Sequence, residues 1–298
     1  MIARVILPED YENLLKMEAP LSLYAKNIKR WIEEKYIKED DCFVFDGDKG
    51  IAGGVCFCDD AEELLILDFA IIESCEAAVH YLLDAINLAR KMEGRKSSKI
   101  SYNLCDDTTQ YADIKKIFET AGFIVAQEKA RYIYKNQDEL PKNNIGLDFK
   151  SVAEIGEVLF ADVFAEATKD TLDSLMARDI EHQGMQKITR DYIESMKQID
   201  FDADWWRVGF AGGVPVGLVL PQKFSDSIGC INYIGVVAEH RGRGYGLPLL
   251  LEGSRILLDA GTERILADID IKNSPLKTHL EQVGYIFSEE MAVLELSL

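Results

Sequence analysis

Residues 236–251 read VVAEHRGRGYGLPLLL. Two valines close an apolar run, a turn of three alternating glycines carries two arginines, and a leucine-rich stretch follows at once, which predicts strand, turn and helix in immediate succession. Gly242, Gly244 and Gly246 let the backbone adopt turn dihedrals and leave a ligand room to approach without Cβ atoms in the way. Pro248 falls in the first helical turn, where its missing N–H would have had no partner. A strand, a turn without side chains and a helix N-terminus together form a pocket of backbone N–H groups suited to an anionic phosphate. Arg241 and Arg243 can add charge-assisted bonds to it.

Working outward, WWRVGFAGGVPVGLVLP reads as a strand pair around a Gly-Gly turn, and SIGCINYIGVV as the third strand. Before them, KSVAEIGEVLFADVFAEAT and TRDYIESMKQ read as helices. After the turn come a helix stopped by Gly261, the strand RILADI, the helix SPLKTHLEQVGY closed by Gly284, and a final strand EEMAVLELSL. The first half repeats this order. Residues 9–38 read as helical, CFVFDGDKGIAGGVCFC as two strands joined at Asp46–Gly50, and ELLILDFAII as a third strand. EAAVHYLLDAINLARKM is a helix ended at Gly94, KISYNL a strand, ADIKKIFETAGF a helix closed by Gly122, and EKARYIYK a strand. A repeat of about 140 residues is too long for a solenoid and predicts two copies of one domain. The polar stretch NQDELPKNNIG, residues 136–146, reads as the linker, giving domains 1–138 and 139–298. Hairpins followed by strand-helix crossovers predict an α/β (α+β) architecture, each copy a mixed, mostly antiparallel sheet flanked by helices.

Composition narrows the partners. The 298 residues carry a formal net charge of -19, which excludes a nucleic-acid backbone as the main ligand, because phosphates need a basic footprint. Such an acidic surface either favours solubility or attracts amines. Any anion must therefore be held locally. No apolar run approaches the roughly 20 residues needed to cross a bilayer, and acids in MIARVILPEDYENLL break the apolar region a signal peptide needs, so the expected location is cytoplasmic. Of six cysteines, Cys42, Cys56, Cys58, Cys75 and Cys105 lie in the first 105 residues. Cys56 and Cys58 lack the CxxC pairing of a zinc site, so reduced buried thiols and no metal are expected.

Two familiar phosphate loops do not match. No Lys-Ser/Thr follows the glycines as a P-loop requires, and the turn comes late in its domain with the wrong spacing for a dinucleotide fingerprint. Residues 241–246 do match R/QxxGxG/A, and this stretch resembles the acyl-CoA pyrophosphate loop of the GNAT superfamily of N-acetyltransferases. NSPLKTHLEQVGY, residues 273–285, resembles that family's second signature: an asparagine, a short helix and a Gly-aromatic end. The resemblance covers about residues 150–298 and implies acetyl-CoA as co-substrate. By position it assigns Ile234, Gly235 and Val236 to the pantetheine arm, Arg241, Gly242, Arg243, Gly244, Tyr245, Gly246 and Leu247 to the pyrophosphate, and Asn273 to a polar cofactor contact. A plain strand-to-helix connection would need one or two glycines, and three alternating with cations exceed that.

Acetyl transfer needs a neutral amine. A lysine-like amine with pKa near 10.4 costs roughly 4.6 kcal/mol to deprotonate at pH 7, so a base must accept the proton. Several members of the resembled family carry an acidic base at the position of Asp268. Strand alternation puts Asp268 and Asp270 on one face, where they act as a carboxylate pair or stand solvated at the strand end. The family's general-acid tyrosine, four positions before the terminal glycine, is here Leu280, with His279 beside it; the family's alternative glutamate base would fall near Cys230 and is absent. A strand N–H near Val236 is the expected donor to the acetyl oxygen. Asp170, Asp173, Glu181, Tyr192 and Trp205 are acceptor-side candidates by region, while Trp206 reads as core. The implied acceptor is an amine-bearing small molecule or peptide attacked directly in a ternary complex.

In the first half the corresponding strand meets its helix through ESCEAAVHY, without glycine. Glu73 and Glu76 stand where the other copy has Arg241 and its glycines, and they would repel pyrophosphate. The first copy is therefore expected to lack the cofactor site, an arrangement similar to tandem GNAT enzymes, the mycothiol synthase type among them. The competing reading is a GNAT-like protein that holds acyl-CoA as a sensor or scaffold without turnover, motivated by Leu280.

Overall fold

Alternating apolar side chains draw the strands, and helical periodicity the α-helices, of a computed structural model that describes residues 2–60, 63–92, 97–105, 110–135, 140–142, 144–199 and 201–298. The chain separates into two compact units, Met1–Ala126 with Met291–Leu298, and Gln127–Glu290.

The first unit contains β1 (Ile2–Val5), α1 (Pro8–Leu15), α2 (Leu21–Glu33), β2 (Cys42–Gly47), β3 (Gly50–Asp60), β4 (Glu63–Ile71), α3 (Cys75–Arg90), β5 (Lys99–Cys105) and α4 (Tyr111–Thr120). The expected single helical stretch over 9–38 is two helices. Pro20 stands between them, and without an N–H it cannot continue the helical ladder. Gly94, the expected end of α3, lies outside the described residues. The sheet runs β1-β2-β3-β4-β5 and ends on the chain's last strand, whose Met291–Ser297 pair antiparallel with β5. β4 and β5 are parallel and paired only from Glu63–Lys99 to Ile66–Tyr102. Beyond that point aromatic rings fill the interior: Phe118 meets Phe69 edge-on at 5.1 Å and stacks on Tyr102 at 4.8 Å. Cys42 and Cys56 lie opposite each other on β2 and β3, both buried.

The second unit begins within β6 (Ile124–Lys135) and continues through β7 (Asp148–Ser151), α5 (Val152–Ile155), α6 (Glu157–Thr168), α7 (Ser174–Gln183), α8 (Met185–Lys197), β8 (Arg207–Ala211), β9 (Val214–Lys223), β10 (Ile228–Val236), α9 (Gly246–Asp259), β11 (Arg264–Asp270) and α10 (Ser274–Val283), followed by β12 (Ile286–Ser297). Its sheet order is β7-β8-β9-β10-β11-β6, the order of the first unit, again with one parallel pair, here β10 with β11. The architecture is therefore α/β with a mostly antiparallel sheet, as the element order predicts. Leu249, Leu250 and Leu257 of α9 and Leu280 of α10 pack with Val219 and Ile231 on one face. Phe160 and Phe164 of α6 and Ile193 of α8 pack with Val208, Leu218 and Trp206 on the other. Trp206 is core, as expected, and stacks on Phe160 at 5.5 Å.

Two helix stops behave alike. Gly122 after α4 and Gly284 after α10 take φ of +99° and +102°, and the N–H of the next residue returns to Phe118 or Leu280. The strand EKARYIYK pairs with β11, from Lys135–Arg264 to Lys129–Asp270, and so belongs to the second unit; the chain's last strand belongs to the first. Alternation fixes which face a strand buries but not which edge it joins. The composition-based boundary at 136–146 thus differs from the divisions after Ala126 and Glu290. Residues 136–139 and 143 of that stretch lie outside the described residues. Among the described residues no helix is long and apolar enough to cross a membrane, and no cluster of His, Cys, Asp or Glu could hold a metal ion.

Candidate functional site

β10 and β11 are paired only at their base, where Ile228–Cys230 meet Arg264–Leu266. Beyond it the strands part, and Ile231–Val236 on one side and Ala267–Asp270 on the other line a cleft of about 550 Å³ that continues to the glycine-rich turn and α10. The open edge of β10 follows from alternation. Val237 N–H donates to Val216 on β9, so the N–H groups of Ile234 and Val236 face away from β9, toward the gap. A β-bulge lies between Ile231 and Tyr233.

At the mouth, the backbone N–H groups of Gly242, Arg243, Gly244, Tyr245, Gly246 and Leu247 have no hydrogen-bond partner among the described residues. Gly242 and Gly244 have φ of +75° and +80°, which side chains rarely adopt. A Cβ on Gly244 would lie 2.9 Å from Ile145 Cδ1, and one on Gly246 would lie 2.7 Å from the His279 ring. Both glycines are therefore set by close approach. Ile234, Gly235, Val236, Arg241, Gly242, Gly244, Tyr245, Gly246, Asp268 and Asn273 all line the cleft. Arg243 and Leu247 do not; Leu247, in the first turn of α9, packs against the core, and Arg243 donates to Glu239 O at 3.3 Å. Asn273 caps α10, its Oδ1 accepting from Leu276 N at 3.2 Å.

Arg241 does something its sequence position does not announce. Its guanidinium donates to Val236 O at 3.1 Å, Asp170 O at 3.2 Å and Ala167 O at 3.0 Å, and to Lys169 O. It thereby fastens the turn between α6 and α7 to the end of β10.

The two aspartates share the cleft-facing side of β11 but differ in role. Asp268 forms a two-point pair with Arg131 on β6, Nε to Oδ1 at 2.8 Å and Nη2 to Oδ2 at 2.9 Å, while Arg131 Nη1 reaches Glu289 at 2.9 Å. Both oxygens of the expected base are thus engaged, and accepting a proton would break one of these bonds. Asp270 is buried and accepts from Ser174 Oγ (2.5 Å) and N (3.0 Å), Lys272 N (2.8 Å) and Gln127 Nε2 (3.2 Å). Burial alone would raise its pKa, but the hydrogen bonds from Ser174, Lys272 and Gln127 prevail and hold it below the usual carboxylate value. It joins the start of α7 to β11 and β6. Replacing Asp270 by Ala is expected to destabilise the protein by roughly 2–4 kcal/mol at pH 7. Because the folded pKa is lowered, that contribution is present above the unfolded value near 3.9 and is lost as pH falls through the folded one. Urea unfolding of both proteins at neutral and strongly acidic pH should show the gap closing at low pH.

Of the residues expected on the acceptor side, Asp170 and Asp173 line the cleft, with Thr171 and Leu172 between them. Asp173 also caps α7 through Met176 N at 2.9 Å. Glu181, Tyr192 and Trp205 are not among the lining residues, and Tyr192 Oη donates to Asn232 O at 2.9 Å. Leu280 is fully buried at the cleft floor. Two residues escape sequence reasoning. Arg131 sits 137 positions before its partner, and Tyr233 owes its direction to the bulge.

No protein-family model matches the sequence. Mycothiol acetyltransferases of Corynebacterium aurimucosum and Corynebacterium efficiens are 28% and 29% identical over 69 and 80 residues. The matched segment spans 23% and 27% of those proteins, about a quarter of their length. Among solved structures, a GCN5-related N-acetyltransferase from Sphaerobacter thermophilus superposes with a TM-score of 0.70 over 99% of this chain and 95% of its own, at 13% identity. The chain has the GNAT fold. A tandem GNAT protein from the clavulanic acid biosynthesis pathway also matches, with a TM-score of 0.52 and 13% identity over 86% of this chain and 82% of its own.

Proposed function

We propose that the second unit binds acetyl-CoA and that the protein transfers its acetyl group to a primary amine of a small molecule or peptide. One observation carries this reading: a row of unpartnered N–H groups at 242–247 opens directly onto the gap between β10 and β11. Such a row with a following helix N-terminus fits a pyrophosphate, and the free edge of β10 at Ile234 and Val236 fits the amides of a pantetheine arm. Acetyl-CoA supplies an activated thioester. The chain would supply Val236 N–H to the acetyl oxygen, with Arg241, Gly242, Gly244, Tyr245, Gly246 and Asn273 around the phosphates and arm. Asp268 would serve as base by exchanging an Arg131 bond for the amine proton. Asp170 and Asp173 give the acceptor side a negative field suited to an ammonium that must lose its proton there.

The first unit reads as a copy without the cofactor site. Its β4 and β5 also part, but Phe118, at the place Leu280 holds before the helix-ending glycine, closes on Phe69 and Tyr102. Calorimetric titration with acetyl-CoA, then thiol release across a panel of small amines and peptides, tests the proposal. Binding plus amine-dependent release of CoA is expected. Tight binding without release from any amine would favour the alternative that buried Leu280 motivates, an acyl-CoA sensor or scaffold; no binding at all would sink both.

A further inference from the structure

Transfer from a thioester leaves a thiolate that needs a proton, and the α10 position that supplies it in the resembled family is Leu280. The other donors near the cleft are mostly engaged or remote. The His279 ring lies against Gly246 at the end of the loop, and its Nδ1 meets Gln282 Oε1 at 3.3 Å. Tyr192 donates to the Asn232 carbonyl. Cys230 is not on the cleft wall, and burial first, then the charge of Asp268, pushes its thiol up to about 12. Tyr245 belongs to the turn itself.

Tyr233 is different. The bulge before it turns its ring toward α6, where it packs on Phe164 at 4.4 Å and against Tyr192 at 5.9 Å. The ring then crosses Gly235: a Cβ there would be 2.8 Å from Tyr233 Cε1 and 3.0 Å from its Oη. The hydroxyl is thus laid over the strand residue that separates the open N–H groups of Ile234 and Val236. Tyr233 is one of the residues lining the cleft, and its Oη has no hydrogen-bond partner among the described residues. Burial raises this phenol above its ordinary pKa, with Arg241 opposing and Asp173 assisting, so it stays protonated at neutral pH.

We propose that Tyr233 is the proton donor of the transfer, acting from β10 where the resembled family acts from α10. The inference rests on the acetyl-transfer reading above. As the amine lone pair forms the C–N bond, the C–S bond breaks with its electron pair on sulfur, and the Oη proton moves to that sulfur. The phenolate then regains a proton from the nitrogen of the new amide, so amine and thioester give amide and thiol. Gly235 is required because any side chain there would displace the ring.

Tyr233→Phe keeps the ring and its packing and removes only the hydroxyl. With the intact protein as reference, kcat at saturating acetyl-CoA and amine should fall on the order of 100-fold. The calorimetric affinity for acetyl-CoA and the melting temperature should stay close to the reference, affinity within about threefold. A variant kcat within about threefold of the reference would overturn the proposal, as would a loss confined to acetyl-CoA affinity. If the unaltered protein binds acetyl-CoA but releases no CoA with any amine, the acetyl-transfer reading itself fails, and this inference with it.

Discussion

Gly244→Asp is expected to abolish acetyl-CoA binding while leaving the protein folded. Three effects act together at this one position. The backbone has φ of +80°, where an L side chain costs roughly 1–2 kcal/mol. A Cβ would come within 2.9 Å of Ile145 Cδ1, so the turn or Ile145 must shift. The third effect dominates: a carboxylate placed among the N–H groups of 242–247 would accept hydrogen bonds from them and repel a phosphate at the same place. Gly242→Ala separates strain from charge. Its φ is +75° but nothing lies within 4 Å of its Cβ, so it should weaken binding by only about tenfold. Calorimetry on both variants, with thermal melts to show folding, gives the ordering, and unchanged affinity in Gly244→Asp would remove the loop from the cofactor site.

The turn was legible in sequence because its information is local. Glycine spacing, the proline in the first helical turn and the two matched stops at Gly122 and Gly284 each state a backbone requirement within a few residues. The order of elements was legible for the same reason, since each period of two or 3.6 is read in a short window. What stayed hidden depends on distant partners or on one-residue shifts. α7 buries only Met176, so its weak apolar stripe gave little helical signal. The Arg131 to Asp268 pair joins a strand assigned to one half with a strand of the other. A bulge at Asn232 breaks the alternation of β10, so spacing alone could not say that Tyr233 faces the α6 side. Strand periodicity did place Asp268 and Asp270 on one face. It had no means of showing that hydrogen bonds, rather than each other, decide their chemistry.

Arg241 and Arg243 look equivalent in the sequence, and their replacements are expected to separate them. Arg241→Ala should weaken acetyl-CoA binding by about 10- to 100-fold, and Arg243→Ala by no more than about fivefold. Among the described residues Arg243 makes one hydrogen bond, to Glu239 O, and it contributes otherwise as an exposed charge near the mouth. Arg241 holds four carbonyls, three of them at 167–170 around the end of α6, where a cation also complements the helix C-terminus. Without it, Asp170, at a φ of +49°, and the following Asp173 lose the support that keeps them on the cleft wall. Arg241→Lys should rescue little, because one ammonium cannot span carbonyls that a planar guanidinium reaches with three nitrogens. Hydrogen exchange supplies a readout that direct phosphate contact would not move: amides around 169–173 should exchange faster in the variant even with no nucleotide present. Equal exchange in the two proteins, with affinity still lost, would leave Arg241 acting through the phosphates alone and remove its role as the fastening between β10 and the turn after α6.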